Sequence, residues 1–136
     1  MEIKLSLDTN VYTALFRGDK TIADYVKRAD HVNISAVVAG ELLSGFRNGS
    51  RYEANRRGLE DFLLSAYVSL LPVTLVTADR FGRISASLRR KGRPIPSNDI
   101  WIAAHAMESG SELLSFDQHF NEVEGLAWVV PEQRRG

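Results

Sequence analysis

Apolar and polar positions alternate at the start of the chain, with Ile3, Leu5 and Leu7 set against Glu2, Lys4 and Ser6. This period of two predicts a strand. It stops at Asp8-Thr9-Asn10, and Val11 to Phe16 then takes on helical spacing. Thr21 to Arg28 predicts a second helix, with Ile22, Tyr25 and Val26 on one side. Val32, Ile34 and Val37 with the intervening Asn33 and Ser35 predict a strand running into a turn. Ser35 is placed to cap a helix from Ala36 to Arg47, which Asn48-Gly49 stops. A longer helix is expected from Arg51 to Ala66, with Leu59, Phe62, Leu63 and Ala66 inward.

Further along, Val68 to Val73 predicts a strand interrupted by Pro72. Thr77-Ala78-Asp79 is expected to open a helix that runs to Arg90 and ends at Lys91-Gly92. The connector Pro94-Ile95-Pro96 is rigid, and Ser97 is expected to cap an apolar helix over Ile100 to Met107. Leu113-Leu114 predicts a short buried strand, Asp117 to Asn121 a turn, and Ala127 to Val130 a last strand before a polar tail, 131–136. Strands that alternate with helices, with few hairpin signals, predict an α/β fold: a mostly parallel sheet with helices on both faces. The chain shows no repeat or internal boundary, so residues 1–136 are expected to form one domain. Right-handed crossovers put every strand's C-terminal end on one sheet edge, so Asp8 and Asp117 should open on the same side.

Composition changes little in this picture and removes several classes of function. Hydrophobic content of 44% and charged content of 25% are ordinary for a globular chain. The absence of cysteine excludes disulfide scaffolds and thiolate metal sites, and fits a cytoplasmic location. No signal peptide is expected, because the N-terminus enters a strand directly. No apolar run approaches the ~20 residues of a membrane span. Lys plus Arg and Asp plus Glu both number 17, so net charge gives no argument for nucleic acid. Two local basic groups stand out: Arg47, Arg51, Arg56 and Arg57, and then Arg89, Arg90, Lys91 and Arg93. Each reads either as a solvated helix end or as a set of phosphate contacts.

The acids carry more information. Stepping about 100° per residue from Val38, Glu41 falls near −60°, between Val37 near −100° and Leu42 near +40°. A carboxylate on that apolar arc calls for an arginine partner or a coordinated cation. Asp99 stands in a first helical turn, where the dipole favours any acid. It also heads the face carrying Ile102, Ala103 and Ala106. Asp8 and Asp117 each follow a strand, where an acid either caps the next element or serves a site. Asp79 has no such apolar setting and reads as structural. His31, His105 and His119 lack metal-site spacing and read as surface or core-edge residues. Without thiols or paired histidines, a convergence of these acids suits a hard ion, Mg²⁺ or Mn²⁺, and phosphodiester chemistry.

Four stretches carry a family resemblance: Leu7-Asp8-Thr9-Asn10, Ser35 to Glu41-Leu42, Asn98-Asp99 with Ile102 to Ala106, and Leu114 to Phe120. Their order over nearly the whole chain resembles PIN-domain proteins, and in size the chain is similar to VapC toxins of type II toxin–antitoxin modules. The resemblance implies a small three-layer α/β/α domain and an Mg²⁺- or Mn²⁺-dependent endoribonuclease site. Position by position it implies Asp8, Glu41, Asp99 and Asp117 as the acids, with Asp8 and Asp99 holding the ion. Thr9, Asn10, Asn98 and Ser115 would support them, Ser115 standing where the family often has Thr. It implies an RNA substrate left with 5′-phosphate and 3′-hydroxyl ends, a homodimer and a cognate antitoxin. Arg47, Arg51, Arg89, Arg90 and Arg93 are then candidate RNA contacts. Two other readings are a catalytically silent PIN-like binding module and an aspartyl-phosphate hydrolase. The latter expects a second acid where this chain has Asn10.

Overall fold

The computed structural model describes residues 1–132. The polar tail expected at 131–136 therefore lies outside the described residues from 133 onward. The elements are β1 (Lys4–Leu7), α1 (Thr9–Phe16), α2 (Lys20–Arg28), β2 (His31–Ser35), α3 (Ala36–Arg47), α4 (Tyr52–Leu63) and β3 (Val68–Leu71). They continue with α5 (Leu75–Lys91), α6 (Ser97–Glu108), β4 (Glu112–Leu114), a 3₁₀ turn (Gln118–Glu122) and β5 (Trp128–Val129).

The five strands form one sheet in the order β3-β2-β1-β4-β5, and every neighbouring pair is parallel. The chain steps from β1 through β2 to β3 in one direction, then crosses back to β4 and β5. Right-handed crossovers therefore set α1 to α4 on one face and α5 with α6 on the other. The packing agrees: α1 meets α2 and α3, α3 meets α4, and α5 lies along α6. The expected α/β/α architecture is borne out. β1 is central and its Leu5, Ser6 and Leu7 are all buried, as are Val32 and Ile34 on β2 and Leu113 and Leu114 on β4. Both faces of the sheet are covered, so the alternating polar residues Ser6, Asn33 and Ser35 are buried as well.

Several element boundaries differ from expectation, among them α4, which ends at Leu63 and leaves Ala66 exposed beyond it. α5 opens at Leu75, one turn before Thr77-Ala78-Asp79, because Thr74 and Thr77 form a reciprocal capping box. The Thr77 hydroxyl also donates to Glu108 at 2.7 Å, tying the start of α5 to the end of α6. Ser97 is the first residue of α6 and makes no cap; Pro96 precedes it and supplies the fixed φ of −56°. β3 ends at Leu71, before Pro72, whose carbonyl instead accepts from His105 Nε2 at 3.0 Å.

Candidate active site

The reversal of strand order lies between β1 and β4, the place where open parallel sheets form a crevice at their C-terminal edge. Asp8 stands on one side of that crevice. Its backbone N–H donates to the Leu114 carbonyl at 3.0 Å, extending the β1–β4 ladder by one residue. This brings Asp8 beside Ser115, whose buried hydroxyl donates to Asp8 Oδ2 at 2.6 Å and accepts from the Asp117 N–H at 3.0 Å. One hydroxyl thus couples the β1 acid to the turn after β4. The other Asp8 oxygen accepts from the Thr9 N–H at 2.8 Å, so Asp8 caps α1 as well. That is why α1 begins at Thr9 and not at Val11.

Glu41 arrives from the second turn of α3 and is half-buried beside the fully buried Val38 and Leu42. Its partner is no arginine among the described residues. Thr9 donates its hydroxyl to Glu41 Oε1 at 2.7 Å, and Asn98 makes a long contact of 3.5 Å to Oε2. Thr9 therefore touches Asp8 through its backbone and Glu41 through its side chain. Asp99 comes from the first turn of α6 with its side chain only 13% exposed, and Asp117 follows β4 at 34%.

His119 completes the cluster, and the sequence reading missed it. Its Nδ1 lies 3.0 Å from Asp99 Oδ2 and 3.1 Å from Asp117 Oδ1, and its backbone N–H donates to Asp117 Oδ1 at 2.9 Å. The only available signal was its position two residues after a strand-end acid, opening a 3₁₀ turn. Among the described residues, the one group of three metal-ligating side chains within 4.8 Å of one another is Asp99, Asp117 and His119. Asp8 and Glu41 stand next to this group and outside that limit.

His105 also departs from expectation. It is 1% exposed and wholly within the core, with Nδ1 against the Ser35 hydroxyl at 2.7 Å and Nε2 donating to Pro72. Ser35 caps α3 by accepting from the Val37 N–H, so His105 links α6 to the start of the helix that carries Glu41.

Electrostatics reflect crowded carboxylates. Burial pushes the Asp8 carboxyl above its ordinary value, against the pull of Ser115 and Thr9, and the nearby Glu41 and Asp117 push it further. Burial likewise raises Asp99, and Asp117 and Asp8 add to the rise while His119 opposes it. The Asp99 carboxylate raises His119 in turn. These acids sense one another as like charges. A set of oxygen donors partly withdrawn from water and mutually repelling fits a divalent cation.

The remaining residues fall into two groups. Arg51 lines a groove of about 760 Å³ that opens beside Thr9 and Glu41 between α1, α3 and α4, floored by Tyr12, Phe16 and Phe46. Arg47 is exposed nearby, its guanidinium 4.2 Å from the Tyr52 ring and bonded to the Tyr52 hydroxyl. Arg89 donates to Ser85 on its own helix, and Arg90 lines a small pocket with Glu122 and Glu124, both ion-paired to Lys91. Arg93 is exposed beyond the end of α5. Asn10 is exposed in a shallow depression with Thr13 and Phe116, and makes no hydrogen bond to the acids among the described residues. Asp79 pairs with Arg83 on the exposed side of α5, in keeping with a structural role.

The PIN domain matches this sequence over residues 5–126. Ribonuclease VapC1 of Haemophilus influenzae strain R2866 is 31% identical over 127 residues, covering 90% of this chain and 93% of that protein. The solved VapBC-1 structure from nontypeable Haemophilus influenzae superimposes with a TM-score of 0.82 at 28% identity, covering 93% of this chain and 97% of the other. A member of the VapBC family of toxin-antitoxin systems, VapBC-5 from Mycobacterium tuberculosis, gives a TM-score of 0.66 at 25% identity over 93% and 95% of the two chains. The chain belongs to the PIN-domain family and, within it, to the VapC ribonucleases.

Proposed function

We propose that this chain is a metal-dependent endoribonuclease, the toxin of a type II toxin–antitoxin module, acting in the cytoplasm as one unit over residues 1–136. The observation that carries this reading is the convergence of Asp8, Glu41, Asp99 and Asp117 from four separate segments on one sheet edge. Asp8 and Asp99 would hold Mg²⁺ or Mn²⁺, with Glu41 and Asp117 joining directly or through water. When bound, the ion would polarise the phosphate, acidify an attacking water and offset charge on the leaving oxygen.

The chain's own groups supply the rest. Ser115 and the Thr9 N–H fix both oxygens of Asp8, so its carboxylate enters the reaction already oriented. Thr9 holds one oxygen of Glu41, and the other, touched only at long range by Asn98, is left to take the proton of the attacking water. Water oxygen forms the new bond to phosphorus as the bond to the 3′ oxygen breaks. The products carry a 5′-phosphate and a 3′-hydroxyl. Arg47 and Arg51, beside the groove, and Arg89, Arg90 and Arg93, near the end of α5, would contact RNA phosphates.

The antitoxin partner is proposed from the chain's place among the VapC proteins. A homodimer is proposed on the same ground. It draws support from a run of exposed apolar side chains around edge strand β3: Leu64, Tyr67, Leu70, Val73, Leu75 and Val76. No helix among the described residues is long and apolar enough to cross a membrane. The test is cleavage of RNA by purified, antitoxin-free protein in Mg²⁺ or Mn²⁺, compared with Asp8→Asn. Wild type is expected to cut and the variant to lose activity by at least ~100-fold. Equal cleavage by both would reject the assignment.

A further inference from the structure

We infer that His119 is a nitrogen ligand of this site and biases it toward Mn²⁺ over Mg²⁺. The assignment rests on the cation site proposed above and adds to it a donor that the four-acid reading omits. Its basis is geometric. Nδ1 of His119 lies 3.0 Å from Asp99 Oδ2 and 3.1 Å from Asp117 Oδ1, with the three ligand atoms inside 4.8 Å of one another. In an octahedral shell with bonds of about 2.1 Å, neighbouring ligand atoms sit roughly 3.0 Å apart. The imidazole nitrogen thus keeps the separation from each carboxylate that adjacent vertices of such a shell require.

The ring is also presented from a fixed backbone. The Asp117 N–H donates to Ser115, and the His119 N–H donates to Asp117, so both ends of the turn's first step are tied down. The side chain is 51% exposed, and without an ion its Nδ1 is held by a hydrogen bond to Asp99 Oδ2 at 3.0 Å, whose proton a bound cation would replace. Two carboxylates and one imidazole form a mixed donor set. Mg²⁺ keeps oxygen ligands and water, whereas affinity for a site containing nitrogen rises from Mn²⁺ through Co²⁺ to Ni²⁺. His119 therefore adds more to Mn²⁺ binding than to Mg²⁺ binding.

The test uses the full chain, Mn²⁺ as the probe, and the variants His119→Gln and His119→Ala. Pulsed electron paramagnetic resonance of the Mn²⁺-loaded wild type is expected to show coupling to one imidazole ¹⁴N, absent in both variants. Mn²⁺ affinity should fall by at least about tenfold in each, since even residues outside the ligand shell reach that size. Mg²⁺ affinity, measured by displacement of Mn²⁺, should change by less than about threefold. Bound Mn²⁺ with no ¹⁴N coupling would mean that the imidazole swings away when the ion enters, and would overturn the assignment. Equal weakening of both metals would overturn it as well. Failure of the underlying cation site would look different: Mn²⁺ would bind Asp99→Asn as tightly as wild type, and the assignment would fall with it.

Discussion

At the scale of single residues, the candidate site trades stability for charge. Asp8 and Asp99 both hold a proton more readily when folded than when unfolded, because burial and like charges disfavour their ionised forms. Stability from such groups is present below the unfolded carboxylate range and is lost as pH rises through the raised folded values. The cation-free protein should therefore melt at lower temperature at neutral pH than at mildly acidic pH, and Asp99→Asn should flatten that dependence. The same variant should raise the cation-free melting temperature at neutral pH by roughly 3–5 °C, the equivalent of about 1 kcal/mol, while abolishing the response to Mn²⁺. Calorimetry with and without chelator measures both. Ser115 gives a second expectation. Ser115→Ala leaves the Asp8 carboxylate and the Asp117 N–H short of a partner and should cost about 1–3 kcal/mol, with a fall in turnover. Ser115→Thr keeps the hydroxyl and should restore turnover, which a purely packing role for Ser115 would not produce.

The acids were legible because each stood where solvation alone did not account for it. Glu41 sat on an apolar arc, and Asp8 and Asp117 followed strands. His119 was not legible, since its role depends on a turn that brings it back over a residue two positions earlier. His105 was hidden for the opposite reason. A buried histidine satisfied by a serine and a carbonyl leaves no pattern in an apolar helix, because both partners come from distant segments.

At the scale of elements, strands and helices followed hydrophobic period closely, and the differences arose at helix starts and at the ends of α4 and β3. Two threonines three residues apart both suit an N-cap, and the reciprocal box selects the earlier one. Ser97 lost its capping role because the preceding proline already fixes the backbone entry to α6. The rigid piece that matters most here is α6, which delivers Asp99 from its first turn and is anchored further along by His105. His105→Ala removes the contacts to Ser35 and Pro72 and opens a void in the core, for an expected loss of about 3 kcal/mol. Chemical denaturation checks this, and His105→Gln, which retains polar reach, should lose less. If the two variants were equally stable, the hydrogen bonds from α6 to the strand ends would be carrying nothing.

At the scale of the whole molecule, the parallel order and the single reversal between β1 and β4 explain why one edge gathers the chemistry. The edge strand β3 with its exposed neighbours Leu70, Val73, Leu75 and Val76 is the side left for self-association. Leu75→Arg combined with Val76→Arg is expected to convert a dimer into a monomer in sedimentation velocity, with the melting temperature of the monomer unit little changed. A wild type that sediments as a monomer at all concentrations would refute that assignment and leave the active site untouched. The chemistry itself is tested most directly by the ends of the RNA fragments that the antitoxin-free protein releases. Hydrolysis at the acidic cluster is expected to leave 5′-phosphates and 3′-hydroxyls, and to stop when a chelator removes the divalent ion. Fragments with 5′-hydroxyls and 2′,3′-cyclic phosphates, or cleavage undiminished in chelator, would contradict it.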